Sequence, residues 1–161
     1  MLYVVCGLPG VGKTTVSRHL ADREGYDLLR SDVVRADVVE DPSYTEAEIR
    51  RVYDELFARA RERLERDGGA VLDATFGRED YRERAATVAG DCGVDVRFVM
   101  VECDPAVVRE RIAAREDDAS DADFSVYREH RDAFEPLSRP HAVVDNSGGR
   151  EATREQVDEL V

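Results

Sequence analysis

Residues 7–14 read Gly7-Leu8-Pro9-Gly10-Val11-Gly12-Lys13-Thr14, and this stretch decides the fold. Before it, LeuTyrValValCys (2–6) is a short unbroken apolar run, the mark of a parallel strand buried on both faces. After it, Val16, Leu20 and Ala21 recur at helical spacing from Lys13 to about Arg23. Strand, glycine turn and helix are thus consecutive. Glycines let main-chain N–H groups turn toward an anion, and the positive end of the following helix points the same way.

The stretch satisfies every fixed position of GxxxxGK[ST]. With 11 glycines, one lysine and 13 Ser plus Thr in 161 residues, chance alone gives roughly a few such matches in ten thousand sequences of this composition. The motif calls for ATP cradled by residues 7–15, Gly7 through Thr14 with Thr15 following, and for Mg²⁺ held in part by the Thr14 hydroxyl. Lys13 would reach the β- and γ-phosphates. It is the only lysine among 23 cationic residues. A chain that uses arginine everywhere else keeps a lysine here because a compact ammonium fits within the loop and a planar guanidinium does not.

Outward from the loop, short apolar runs alternate with helical patterns. Strands are expected at Tyr26 to Arg30, at AlaValLeuAspAla (70–74), at ValArgPheValMetValGlu (96–102) and at AlaValValAsp (142–145). Between them lie helices from Thr45, an N-cap with Glu48 three residues on, to a glycine stop at Gly68, from Glu79 to Ala89, from Pro105 through Arg115 and, after a short acidic segment at 116–123, a further helix to about Phe134. A terminal helix starts near Glu151. The alternation predicts an α/β fold, a parallel sheet covered on both faces, with ligands at the carboxyl ends of its strands. A length of 161 residues fits one domain, 1–161, with a lid at about 115–125.

Strand ends supply the remaining candidates. Asp32 follows the second strand, where a base could take a proton from an acceptor hydroxyl, or where Ser31 or Asp32 could simply cap a helix. Arg35 lies three residues on and could hold the acceptor. Asp73 ends the third strand and is placed to hold a water of the Mg²⁺ shell, with Thr75 and Arg78 facing the acceptor; the alternative is a capped turn. Among Arg109, Arg111 and Arg115, most would be solvated surface, and Arg115 is best placed to neutralise charge on a transferred phosphoryl group. Asp73 is followed by Ala74, so the glutamate that positions water in many hydrolases is missing, and there is no AsnLysXaaAsp guanine reader. Phosphoryl transfer is therefore favoured over hydrolysis or switching, with a regulatory nucleotide-binding module or slow ATPase as the competing reading.

Taken together, GlyLeuProGlyValGlyLysThr, SerAspValValArg, LeuAspAlaThrPhe and ArgIleAlaAlaArgGlu with PheSerValTyrArgGluHisArgAspAlaPheGluProLeu resemble the small P-loop kinases of the AAA-like ATP-binding and zeta-toxin group, and are similar to the kinase domain of polynucleotide 5′-hydroxyl kinases. The resemblance implies a three-layer P-loop NTPase fold with sheet order 2-3-1-4-5. It implies Asp32 as general base, Arg35 as acceptor clamp, Arg115 as lid arginine assisted by Arg111, and AspAsnSerGlyGly, with Asn146, as the adenine-side loop. The acceptor would be a small molecule, a nucleoside or a nucleic-acid 5′-hydroxyl.

Composition narrows the partners. Asp plus Glu is 36 against 23 Lys plus Arg, a net charge of −13, and no basic stripe is visible, so a long nucleic acid is not expected. No apolar run approaches the roughly 20 residues that cross a bilayer, and the amino terminus reads as a strand rather than a signal peptide, which implies a cytoplasmic protein. Cys6, Cys92 and Cys103 are far apart and read as reduced, buried small hydrophobes. The arginine-rich acidity matches proteins of salt-adapted cytoplasm, in which molar salt screens self-repulsion. The melting temperature is accordingly expected to climb as KCl is raised to molar levels; a midpoint indifferent to salt would contradict this reading of the charge.

Overall fold

A computed structural model describes residues 1–115 and 120–161, the side chains of 115 and 120–123 excepted. The elements run β1 (Leu2–Cys6), α1 (Lys13–Glu24), β2 (Asp27–Arg30), α2 (Ser31–Val38), α3 (Glu46–Asp67), β3 (Ala70–Asp73), α4 (Glu79–Asp91), β4 (Val96–Glu102), α5 (Pro105–Arg115), α6 (Ser120–Ala133), β5 (His141–Asp145) and α7 (Arg150–Asp158). The strands form one parallel sheet in the order β2-β3-β1-β4-β5, as the resemblance implied. Of the segment expected as a lid, residues 116–119 and the side chains of 115 and 120–123 lie outside the described residues.

Because successive strand residues face opposite ways, β1 feeds two cores. Leu2, Val4 and Cys6 pack with Leu56, Phe57 and Ala60 of α3 and Ala85 of α4. Tyr3 and Val5 pack on the other side with Val16 and Leu20 of α1, Val108 and Ile112 of α5 and Val157 of α7. Every residue of β1 is buried, which is why its sequence is unbroken by polar residues. This burial on both faces fixes the strand whose end carries the glycine loop.

Local chemistry differs from expectation in three places. Neither Ser31 nor Asp32 caps a helix: α2 begins at Ser31, its N-cap is Arg30 and no side chain bonds there. The Thr45 hydroxyl does accept from Glu48 N at 3.3 Å, but the Glu48 carboxylate turns away from Thr45. It accepts instead from Ser43 N at 2.7 Å and Tyr44 N at 3.0 Å, and pairs with Arg35. Of the cysteines only Cys6 is buried; Cys92 and Cys103 are half-buried and all three are free thiols.

A wholly buried arginine fastens the end of α6. Arg82 of α4 donates to the Glu135 carbonyl at 2.9 Å, the Pro136 carbonyl at 3.1 Å and Glu79 at 2.8 Å. Arg139 grips the other Glu79 oxygen at 2.5 Å. The chain after α6 is thereby tied to the start of α4, where Glu135 also accepts from Glu79 N at 2.5 Å. Removing Arg82 strands two carbonyls and half a carboxylate. Arg82→Ala is expected to lower the free energy of unfolding by about 3–5 kcal/mol, measured in urea; a loss under about 1 kcal/mol, the scale of an exposed pair, would show that the cluster is not structural.

Candidate active site

The loop leaves β1 at the sheet's carboxyl edge and enters α1 through glycines held in backbone conformations that favour glycine. Gly7 has φ +151° and a Cβ there would stand 2.6 Å from the Val101 carbonyl oxygen. Gly12 has φ +92°, and a Cβ there would run into the Asn146 amide. Glycine at positions 7 and 12 of the motif therefore follows from two close approaches of other chain segments.

Lys13 curls back inside this loop, its Nζ donating to the Leu8 carbonyl at 2.9 Å. Burial holds its pKa below the ordinary lysine value, opposed by the charges of Asp73, Cys6 and Asp32. Thr14 donates its hydroxyl to Asp73 Oδ2 at 2.8 Å. Asp73 closes β3 and is buried, and in register it stands beside Val5 of β1 and Arg30 of β2. Burial raises its pKa, against the opposing effects of the Thr14 hydroxyl, Lys13 and Arg30. The hydroxyl and carboxylate are the hard oxygen donors that Mg²⁺ takes, so they fit that ion beside a phosphate-binding loop.

Around this centre the structure places the other expected residues as follows. Asp32 lies in the first turn of α2 with its side chain 64% exposed, its Oδ2 paired with Arg30 at 2.5 Å and its Oδ1 accepting from Val33 N at 2.9 Å. Arg35 is committed to Glu48 and lies over the Tyr44 ring, 4.6 Å from its centroid. Arg78 pairs with Asp80 at 2.8 Å. Thr75 accepts from Gly7 N through its carbonyl at 3.2 Å, stitching the loop after β3 to the glycine loop. The side chain of Arg115 lies outside the described residues.

On the opposite side of the loop is a cavity of about 340 Å³, lined by Gly12, Thr15, Arg111, Asn146, Gly148 and Arg150 among others. Arg111 donates to the Gly148 carbonyl at 3.3 Å and to Cys103 Sγ at 3.5 Å. Asn146 donates to the Val11 carbonyl at 2.8 Å and accepts from the Thr153 hydroxyl at 2.8 Å, so its amide braces the loop as well as walling the cavity. Pro9 and Leu8 complete the turn between the two sides.

Two residues absent from the sequence reading stand at the site. Arg30 is one; its signal was its position as the last residue of the strand preceding Asp32. The other is His130 of α6, an exposed residue whose imidazole is held below its ordinary pKa by partial desolvation first and by the Lys13 charge second. Nothing in the local sequence placed α6 near the loop.

The chain matches the AAA domain family (AAA_33) over residues 2–137. It belongs to that family. An uncharacterized protein of Mycobacterium tuberculosis is 29% identical over 133 residues, 75% of this chain, and the match spans 27% of that relative's length. A sugar kinase from Janibacter, in an unliganded structure, superposes with TM-score 0.73 at 20% identity, covering 96% of this chain and 90% of that one. An APS kinase of Mycobacterium tuberculosis, solved with AMPPNP and APS, gives TM-score 0.72 at 18% identity, covering 99% and 95%. The fold is that of the small P-loop kinases. Among the described residues no helix is long and apolar enough to cross a membrane.

Because the folded-state pKa of Asp73 is raised, its ionised form costs the fold stability once pH climbs above the ordinary carboxylate range. Asp73→Asn keeps an acceptor for Thr14 without the buried charge. It is expected to melt no lower than the parent at pH 7, with any advantage shrinking as pH falls through the carboxylate range, yet to lose the magnesium-dependent part of ATP binding in calorimetry. A variant that melts lower at neutral pH would contradict the role of burial.

Proposed function

We propose that the protein is a Mg²⁺-ATP-dependent kinase that transfers the γ-phosphoryl group to an acceptor hydroxyl. The observation that carries this reading is the Thr14–Asp73 bond of 2.8 Å directly beneath a loop that already encloses Lys13. The AAA domain match and the kinase neighbours support it.

Residues 7–15 would bind the phosphates through main-chain amides, and Lys13 would leave the Leu8 carbonyl for the β- and γ-phosphate oxygens. Thr14 and Asp73 would hold Mg²⁺, which supplies neutralisation of charge on the phosphates when bound. The cavity walled by Arg111 and Asn146 would receive the nucleoside. Asp32 would take the proton of the acceptor hydroxyl as its oxygen forms the new bond to phosphorus, while the bond from phosphorus to the oxygen of the departing ADP breaks. Arg115, the last residue of α5, would add positive charge. Arg35, Thr75 and Arg78 would shape the acceptor side, the two arginines through Glu48 and Asp80. Residues 1–161 would act as one domain, within a longer protein in relatives such as the mycobacterial one.

Asp32→Asn separates this reading from a nucleotide-binding module. The kinase should keep its affinity for MgATP and lose transfer by about 10²–10⁴-fold, the scale of general-base catalysis, when γ-labelled ATP is offered with a pool of hydroxyl compounds. Label that appears only as free phosphate would overturn the proposal.

A further inference from the structure

The loop between β3 and α4 holds one residue in a conformation that its side chain disfavours. Phe76 has φ +47°, in the left-handed region that residues other than glycine seldom enter, and it is wholly buried. A bulky residue stays there only where its surroundings hold it. Tyr53 of α3 does so in two ways. Its ring meets the Phe76 ring edge-on with centroids 5.3 Å apart, and its hydroxyl accepts from Phe76 N at 3.0 Å.

The two contributions of Tyr53 are separable. It is buried and stacks on Tyr81 of α4 with ring centroids 3.8 Å apart, a packing role that a phenyl ring would fill as well. The hydroxyl adds something else, an acceptor for a main-chain donor that has no water near it. Without that acceptor the N–H would be stranded in the core, and the loop would have to shift to satisfy it.

The neighbours of Phe76 are the points where this loop meets the candidate site. Immediately before it, the Thr75 carbonyl accepts at 3.2 Å from the N–H of Gly7, the first residue of the glycine loop. Three residues before it stands Asp73, bonded to Thr14. Between them Ala74 N reaches the Val5 carbonyl only at 3.5 Å, so the sheet ladder holds the chain weakly once Asp73 is passed. The path that carries the Thr75 carbonyl to Gly7 is therefore set from the far side, at Phe76.

We propose that Tyr53 is a positioning residue of the nucleotide site: its hydroxyl keeps Phe76 in the left-handed conformation, which through the Thr75 carbonyl sets where the glycine loop stands relative to Asp73. This rests on reading that loop as the ATP site. Tyr53 itself touches no ligand.

Tyr53→Phe tests it, because the change removes one oxygen and keeps both ring contacts. In the protein without nucleotide, the backbone N–H signal of Gly7 in a ¹H–¹⁵N spectrum is expected to move and its hydrogen exchange to quicken. In calorimetry the affinity for MgATP is expected to fall by about three- to tenfold, the scale of one neutral hydrogen bond. Leu64→Val, which loosens the same core near the other end of α3, is the control for lost packing: it should lower the melting temperature and leave both readouts as in the parent. If the Gly7 signal of Tyr53→Phe stays in place, if a parent that binds MgATP is matched by the variant, or if Leu64→Val gives the same changes, Tyr53 serves packing alone and the proposal falls while the ATP site stands. If Gly7 moves in Tyr53→Phe alone and the parent takes up no MgATP, the reading of the loop as an ATP site falls and the positioning of Gly7 by Tyr53 remains.

Discussion

An ammonium and a carboxylate, both withdrawn from water, share the carboxyl edge of one sheet, and the rest of the structure exists to hold them there. Lys13 is kept inside the glycine loop by a single carbonyl, and Asp73 is kept at the end of β3 by a single hydroxyl. Burial works against the charge of each, while each charge supports the other. Such a pair is a weak source of stability.

The loop's shape depends on distant parts of the chain. Val101 of β4 and Asn146 beyond β5 approach so closely that only glycine fits at positions 7 and 12. Asn146 is in turn held by Thr153 of α7. A phosphate-binding loop between β1 and α1 is thus braced by the last third of the chain. On the other side, Gly7 N bonds the Thr75 carbonyl, and the segment after Thr75 is tied through Glu79 and Arg82 to the chain that follows α6. The glycine loop, the segment after β3 and the end of α6 are joined through these bonds.

Arginine serves several purposes in this acidic protein. Arg82 is a fully buried fastening, Arg35 locks Glu48 and the turn at Ser43 and Tyr44, and Arg111 spans a half-buried thiol and a loop carbonyl. Most of the rest pair with carboxylates at the surface, where each pair adds little. Arg30 differs from these in that its Nε is buried without a partner among the described residues.

The sequence by itself determined the α/β alternation, because a strand buried on both faces shows as an apolar run and an amphipathic helix as a 3.6-residue period. It also singled out Lys13, Thr14 and Asp73, since a glycine loop and a strand-end carboxylate are local patterns. It placed Asp32 and Arg35 as one acceptor pair. Only the tertiary structure decided that Arg35 is spent on Glu48, a residue whose spacing from Thr45 had pointed to a local capping box instead. It alone brought Arg30 beside Asp73, His130 near Lys13 and Asn146 against Val11. These partners are far apart in the chain, and spacing along a sequence carries information only about groups that one helix or one strand brings together. Which donors are already satisfied depends on contacts across the whole fold.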